Sequence, residues 1–365
     1  MLMINDLLRH NKKNTDELSI VLSNVLKSGW YVLGSQVKEF EREFASYCEV
    51  EHCVSVANGT DALELALRAL EVGRGDKVVT VANAGAYSTT AILAVGAMPV
   101  YLDIDSDTLL LSTDHLRLLI TEETRAIIVT HLYGQAAQVD EVLSLAAQFG
   151  VPVIEDCAQA HGAILNGRRV GSFGVMGCFS FYPTKNLGAL GDGGAVTTND
   201  ASLAKRVQML RQYGWQSKYE IALVGGRNSR LDEMQAAILR VKLPYLDKWN
   251  QRRFEISKLY IDGIHHSSIM LPRIAEGSFV GHLFVLRTHN RDKLREHLKQ
   301  NQIMSEVHYP IPDYRQPVFT AIFQGVYLNI TEQVCSEILT LPCFPEMTDA
   351  EVQYVIDKVN DWSEK

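Results

Sequence analysis

An α/β protein is expected here: a large domain built on a mostly parallel sheet, plus a smaller C-terminal α/β domain. Three observations carry that expectation. Short apolar runs of strand length alternate with amphipathic stretches of helix length from Cys53 to Thr198. Strands alternating with helices imply a largely parallel sheet covered on both faces. After Asp200 the alternation gives way, and from about Ser267 the remainder reads as a smaller α/β unit with its own capping signals. The large domain is therefore assigned to 1–250, with helices at its N-terminus, and the small one to 251–365.

Taken in order, Leu18–Leu26 is apolar on one side, and Val37, Phe40 and Phe44 recur at helical spacing after the Gly34-Ser35 break. Cys53–Ala57 reads as a strand, and Asn58-Gly59-Thr60-Asp61 opens a helix with Leu63, Ala66, Leu67 and Leu70 on one face. Strands follow at Lys77–Val81, Pro99–Leu102, Ala126–Thr130, Pro152–Glu155, Gly177–Phe181 and Ala195–Thr198. Helices are placed at Tyr87–Val95, Leu116–Thr121 and Val139–Phe149. Asp200 is positioned to cap a helix running to Arg211; Leu231–Leu243 is helical up to Pro244, and helical character resumes through Tyr260. In the C-terminal part, Phe279–Arg287 reads as a strand, Asn290 as the cap of a helix, and Thr348-Asp349-Ala350-Glu351 as a capping box for a final helix.

With 365 residues, 47% of them hydrophobic, the chain has ample material for a core. Its formal charge is −8 and it has no basic tract, so nucleic acid is not an expected partner. Met1–Lys13 lacks the plan of a signal peptide, and no apolar run reaches the ~20 residues that a bilayer needs. The six cysteines form no CxxC pair and several lie in apolar contexts, which suits a reduced, cytoplasmic protein without membrane contact or metal.

Chemistry concentrates around two residues. Val151-Pro152-Val153-Ile154-Glu155-Asp156 is a buried strand ending in carboxylates, and Lys185 follows the aromatic run Phe179-Ser180-Phe181-Tyr182-Pro183-Thr184, just before a glycine-rich turn. Taken alone, Lys185 could be a solvated surface lysine and Asp156 a helix cap or a satisfied core acid. Together, a lysine after one strand and an aspartate at the tip of another are what pyridoxal 5'-phosphate needs. The amine bonds its aldehyde, and the carboxylate pairs with its pyridinium nitrogen. Gln159 could donate to the cofactor's phenolate oxygen. Gly59 permits close approach of a phosphate to the free N–H groups of a helix start, and Ser180 could add a hydroxyl. The Tyr87 ring could stack on the pyridine or be a core aromatic.

The runs Asp156–Gly162, Ser180–Gly194 and Asn228–Ile238 resemble the nucleotide-sugar aminotransferases named for DegT, DnrJ, EryC and StrS. The resemblance covers nearly the whole chain, including His308-Tyr309-Pro310-Ile311-Pro312 and Leu341-Pro342-Cys343-Phe344-Pro345. It implies the aspartate aminotransferase-like fold of type I pyridoxal-phosphate enzymes. By position, Lys185 matches the Schiff-base lysine, Asp156 the pyridinium partner and Gln159 the residue beside the phenolate. Gly59, Thr60 and Ser180 match the phosphate site, and Tyr87 the stacking ring. Asn228 matches a residue that reaches the phosphate of the neighbouring subunit, which implies a homodimer with shared sites. Related dehydratases carry histidine in place of the lysine; with Lys185 present, transamination is implied.

The run Gly188–Asp200, Arg240-Val241-Lys242-Leu243 and His282-Leu283-Phe284-Val285-Leu286-Arg287 are similar to the subgroup that aminates C3 of a dTDP-3-keto-6-deoxyhexose. L-Glutamate would be the amino donor. Amination at C4, or of a UDP-linked 3-keto sugar, is the alternative. For the sugar, Tyr182, His308 and Tyr309 offer rings with hydrogen-bonding tips, and Lys218 a cation for the pyrophosphate, although a loop histidine and a solvated lysine are equally open readings. Trp30, Tyr31 and Gly34 could line the same cleft or simply pack. Two rivals stand outside this reading. A nicotinamide-dependent dehydrogenase is disfavoured because no GxGxxG follows the first strand. A non-catalytic cofactor-binding regulator is opposed only indirectly, by the intact Lys185, Asp156 and Ser180.

Overall fold

The structure is a computed structural model that describes residues 1–363. It opens with α1 (Leu7–Lys12), α2 (Thr15–Ser28) and α3 (Ser35–Cys48). Helix α3 has no side-chain cap of its own. Its N-terminus is met instead by the buried carboxylate of Glu233, which accepts from the N–H groups of Gly34 (2.8 Å), Gln36 (2.9 Å) and Val37 (2.9 Å). An anion at the positive end of a helix can thus be buried without a cation.

The central alternation runs β1 (His52–Val56), α4 (Gly59–Ala69), β2 (Lys77–Val81), α5 (Tyr87–Ala94), β3 (Met98–Leu102), α6 (Thr113–Leu119), β4 (Thr124–Thr130), α7 (Val139–Ala147) and β5 (Val153–Asp156). A small hairpin, β6 (Ile164–Leu165) and β7 (Arg168–Arg169), precedes β8 (Met176–Ser180), β9 (Gly194–Thr198) and α8 (Ala201–Leu210). Among the described residues, the strands form a seven-stranded sheet in the order β1-β9-β8-β5-β4-β2-β3. Pairs β2–β3, β2–β4, β4–β5 and β5–β8 are parallel, and β9 is antiparallel to both its neighbours. Alternate residues of β4 feed opposite layers. Ala126 and Ile128 pack under α4, α5 and α8, whereas Ile127 and Val129 pack with α3, α7 and the later helix α9 (Glu233–Lys242). In the second layer Phe44 meets Phe179 and Phe181 edge-on at 5.0 and 5.3 Å between ring centroids.

A hairpin, β10 (Trp215–Ser217) and β11 (Glu220–Ile221), projects before α9, and a 3-10 turn at Leu243–Tyr245 joins α9 to α10 (Leu246–Gly263) at Pro244. The C-terminal part holds β12 (Phe284–Arg287), α11 (Arg291–Gln300), α12 (Asn329–Glu337), β13 (Ile338–Leu341) and α13 (Asp349–Asn360). Strands β12 and β13 pair antiparallel, and single bridges widen this small sheet on both sides: Met270 to Arg287, Glu306 to Thr340 and Leu2 to Ile303. The N-terminus therefore ends as an edge of the C-terminal sheet.

Most expected elements appear within about two residues of their expected ends. Asp200 caps α8 through the N–H groups of Ser202 and Leu203, and the Thr348 capping box is complete. Three readings are corrected. The strand expected at Phe279–Arg287 begins only at Phe284, because Gly281 turns the backbone with φ +57°. Asn290 stands at the start of α11, but its side chain makes no capping bond. Helix α1 precedes the two helices expected at the N-terminus, and α12 and the hairpins lie where no element was expected. Among the described residues all six cysteines are free and buried, and no helix is long and apolar enough to cross a membrane.

Candidate active site

Parallel pairing sets Asp156 level with Thr130 on β4 and Cys178 on β8. The carboxyl ends of β1, β4, β5 and β8 thereby open into one cavity of about 910 Å³. Of the residues expected in the site, Gly59, Thr60, Tyr87, Asp156, Gln159, Ser180, Tyr182, Lys185, His308 and Tyr309 all line it.

Adjacent carboxylates on β5 point to opposite faces and have separate roles. Glu155 turns away from the cavity. Its oxygens accept from the N–H groups of Gly171, Phe173 and Gly174, each at 2.8 Å, and from His131 Nε2 at 3.0 Å. His131 Nδ1 accepts from Ala137 N–H, so the imidazole proton lies on Nε2. Among the described residues, His131, Glu155 and Cys157 are the group close enough to suggest a metal site; the bonds of His131 and Glu155 make that pair an internal brace.

Asp156 faces the cavity, 6% exposed, with Oδ1 accepting from Ala158 N–H at 3.1 Å. Burial pushes its carboxyl above the usual aspartate range, and the Ala158 N–H and the charge of Lys185 only partly offset this. Burial also pushes the Lys185 ammonium down to about 8, against the opposing pull of Asp156. The Lys185 amine makes no hydrogen bond to any described residue. Its loop is held from behind, where buried Lys242 donates to Gly188 O at 2.8 Å. Gly188 is required at that turn, since a Cβ there would lie 2.3 Å from Pro183 O.

Asn58 caps α4 by accepting from Asp61 N–H at 2.8 Å, leaving the first turn open to an anion. A Cβ on Gly59 would sit 2.6 Å from Ser180 Cβ, so the helix start and the end of β8 form one tight cradle. Gln159 is fixed at both ends of its amide: Oε1 accepts from Tyr133 N–H at 2.8 Å, and Nε2 donates to Tyr309 Oη at 3.1 Å. Tyr133 in turn donates to His308 O at 2.6 Å. The His308 ring lies against Thr340 Oγ1 (2.9 Å) and Glu306 (3.4 Å), and burial lowers its pKa. Tyr87 meets Tyr309 edge-on, 6.1 Å between centroids, with its own ring half exposed to the cavity.

Lys218 and Asn228 are not brought to this cavity. Lys218 is exposed between β10 and β11, its ammonium 5.1 Å from the Tyr219 ring centroid, and Asn228 is exposed beside a bridge to Gln212. Trp30, Tyr31 and Gly34 also lie outside it: Trp30 donates to Val32 O, and Gly34 belongs to the α3 start bound by Glu233. Sequence reasoning missed Met3, Ile4, Asn5, Asp192, His282 and Glu306, which do line the cavity. The His282 ring is set by neighbours remote in sequence. Asn186 donates to Asn250 Oδ1 and Val280 O, so its own Oδ1 must accept and His282 carries its proton on Nδ1.

The residues fit pyridoxal phosphate on four counts: an amine without a partner, a buried carboxylate in need of a cation, an N–H cradle, and room for ring and substrate. The sequence profile of the DegT/DnrJ/EryC1/StrS aminotransferase family matches residues 12–360. The chain is 47% identical over 356 residues to a dTDP-3-amino-3,6-dideoxy-alpha-D-galactopyranose transaminase of Aneurinibacillus thermoaerophilus, covering 97% of this chain and 98% of that protein. It superposes on the X-ray structure of DesV from Streptomyces venezuelae with a TM-score of 0.96 at 42% identity, covering 100% of this chain and 99% of that one. NtdA from Bacillus subtilis, solved with bound PMP, gives a TM-score of 0.90 at 28% identity, over 95% of this chain and 81% of that one.

Proposed function

The chain belongs to the DegT/DnrJ/EryC1/StrS aminotransferase family, and on that premise we propose that it moves an amino group from L-glutamate to C3 of a dTDP-3-keto-6-deoxyhexose. The products are a dTDP-3-amino-3,6-dideoxyhexose and 2-oxoglutarate. Its cofactor is pyridoxal 5'-phosphate, which when bound supplies an electron sink for carbanion chemistry. One observation carries the reading: a lysine amine lowered to about 8 shares a cavity with a buried aspartate that has no other Lys or Arg partner among the described residues.

In this reading Asp156 holds the ring nitrogen, Gln159 borders the phenolate oxygen, and Gly59, Thr60 and Ser180 take the phosphate. Tyr87 stacks on the ring. Lys185 anchors the cofactor and, once its amine is free, takes up and returns the proton at the reacting carbon. Tyr182, His308 and Tyr309 border the sugar. Both half-reactions use one cavity, so ping-pong kinetics follow.

The active unit is a homodimer in the same reading. Among the described residues Lys185 is the single Lys or Arg lining the cavity, while cofactor, nucleotide sugar and donor together bring many anionic groups. Lys218 and Asn228 lie exposed near Tyr219, Ile221 and Val224, which are 76%, 65% and 98% exposed. Such a face suits a second copy, whose cavity these two residues would complete. The division into 1–250 and 251–365 is supported by a separate apolar cluster drawn from Ile256 to Trp362, and a cytoplasmic location by the six free cysteines.

The deciding experiment incubates the reconstituted protein with L-glutamate and a panel of dTDP-3-keto, dTDP-4-keto and UDP-linked 3-keto sugars, with products read by mass and NMR. An amine at C3 of a dTDP-6-deoxyhexose is the expected product. Amination at C4, a preference for the UDP sugar, or no turnover would each contradict the proposal.

A further inference from the structure

The first six residues are held from both sides. Leu2 N–H donates to Gln302 O at 2.7 Å, and Met304 N–H donates to Leu2 O at 2.9 Å. Just downstream, Arg9 forks onto Glu351 at 2.8 and 3.0 Å, and His10 sits 3.0 Å from Glu346. Between these anchors Met3, Ile4 and Asn5 border the reaction cavity. Asn5 Nδ2 donates to Thr184 O at 3.2 Å, the carbonyl immediately before Lys185. Met3 also borders a second hollow of about 360 Å³, which is walled by Arg9, Phe344, Glu351 and Tyr354. Met3 therefore borders both spaces.

We propose that this N-terminal segment is a specificity wall of the site, in which Met3 limits the bulk of the sugar accepted and Asn5 holds the loop bearing Lys185. The inference rests on the aminotransferase reading and deepens it. The wall offers a thioether, an aliphatic chain and an amide, with no charge. Such a surface suits the methyl group of a 6-deoxyhexose and disfavours a bulkier or more polar group at that same carbon. Shortening Met3 opens the reaction cavity toward the second hollow and makes room for such a group. Losing the Asn5 amide frees the carbonyl beside Lys185 and opens its amine further to solvent.

The test compares the reconstituted wild type with Met3→Ala, Met3→Leu and Asn5→Ala. The visible cofactor band and the glutamate half-reaction of the wild type are recorded first; their absence would end the aminotransferase reading itself. Given a working wild type, kcat/KM is measured for a dTDP-3-keto-6-deoxyhexose and for the matching dTDP-3-ketohexose that keeps its 6-hydroxyl. Met3→Ala should raise the ratio in favour of the 6-hydroxy sugar by about tenfold or more, the scale on which a pocket discriminates one added group. Met3→Leu, which keeps the bulk, should hold the wild-type ratio. A ratio unmoved in Met3→Ala, or moved equally in Met3→Leu, overturns the role of Met3. For Asn5→Ala the readout is the apoprotein: the pH midpoint for chemical labelling of Lys185 should rise by about half a unit or more as the amine gains solvent. An unchanged or lower midpoint overturns the role of Asn5.

Discussion

Burial moves Lys185 and Asp156 toward each other, the amine down to about 8 and the carboxyl upward. The direction of each shift makes a prediction. Lys185 is protonated and unreactive below its midpoint, so labelling of the apoprotein should switch on near pH 8 rather than near the 10.5 of an ordinary lysine. Asp156 raises the Lys185 midpoint, so Asp156→Asn should lower it further; an upward shift would contradict the electrostatic coupling. Lys185→Ala should bind cofactor weakly and lose about 10²–10⁴-fold in kcat, the usual worth of a placed acid–base group, as measured by 2-oxoglutarate release. These two residues were legible because a buried carboxylate after an apolar strand and a lysine before a glycine turn are both costly without a ligand. His282 was harder to see. Its role as a wall residue depends on Asn186 and Asn250, which sequence spacing does not connect.

Helix α5 shows how an element can depend on residues far along the chain. It has no side-chain cap of its own, and Ala86 before it adopts φ +64°. Asp313 supplies the missing acceptors, taking Ala86 N–H at 2.9 Å and the Thr89 hydroxyl at 2.6 Å. Asp313→Ala should destabilise the protein by about 1–2 kcal/mol, the cost of a lost cap, read by denaturant midpoint. Burial pushes the Asp313 carboxyl from 3.8 up to about 7. The folded state therefore holds a proton that the unfolded state releases, and this contribution to stability is lost as pH rises from about 4 through about 7. Asp313→Asn should flatten that part of the pH–stability curve; an unchanged slope would show that the carboxyl is already ionised. At the start of α4, Gly59→Ala forces a Cβ within 2.6 Å of Ser180 Cβ. It should cost about 1–3 kcal/mol in stability and weaken cofactor binding. Unaltered cofactor affinity in a folded Gly59→Ala protein would remove the cradle from the phosphate site. The parallel strands were legible from alternation and period. The turn at Gly281, the uncapped Asn290 and the hairpin β10–β11 were not, because tertiary contacts settle them.

The molecule closes its site with segments that are remote in sequence: β5, the Lys185 loop, the 304–309 segment and the N-terminal segment. The last of these was illegible because Leu2 pairs with Ile303, and no local pattern marks a partner so far away. In the proposed homodimer, Lys218 and Asn228 would complete the cavity of the second copy. Mixing Lys185→Ala subunits with Asn228→Ala subunits should restore up to about a quarter of wild-type sites, since random pairing makes half the dimers mixed and each has one intact site. No recovery would mean that Asn228 serves its own subunit or none. The most direct measurement of the whole scheme is borohydride reduction of the purified holoprotein followed by peptide mapping. Cofactor mass should appear on the peptide containing Lys185 and on no other. A label on Lys242, the other lysine lowered to about 8, or on no lysine at all, would contradict it.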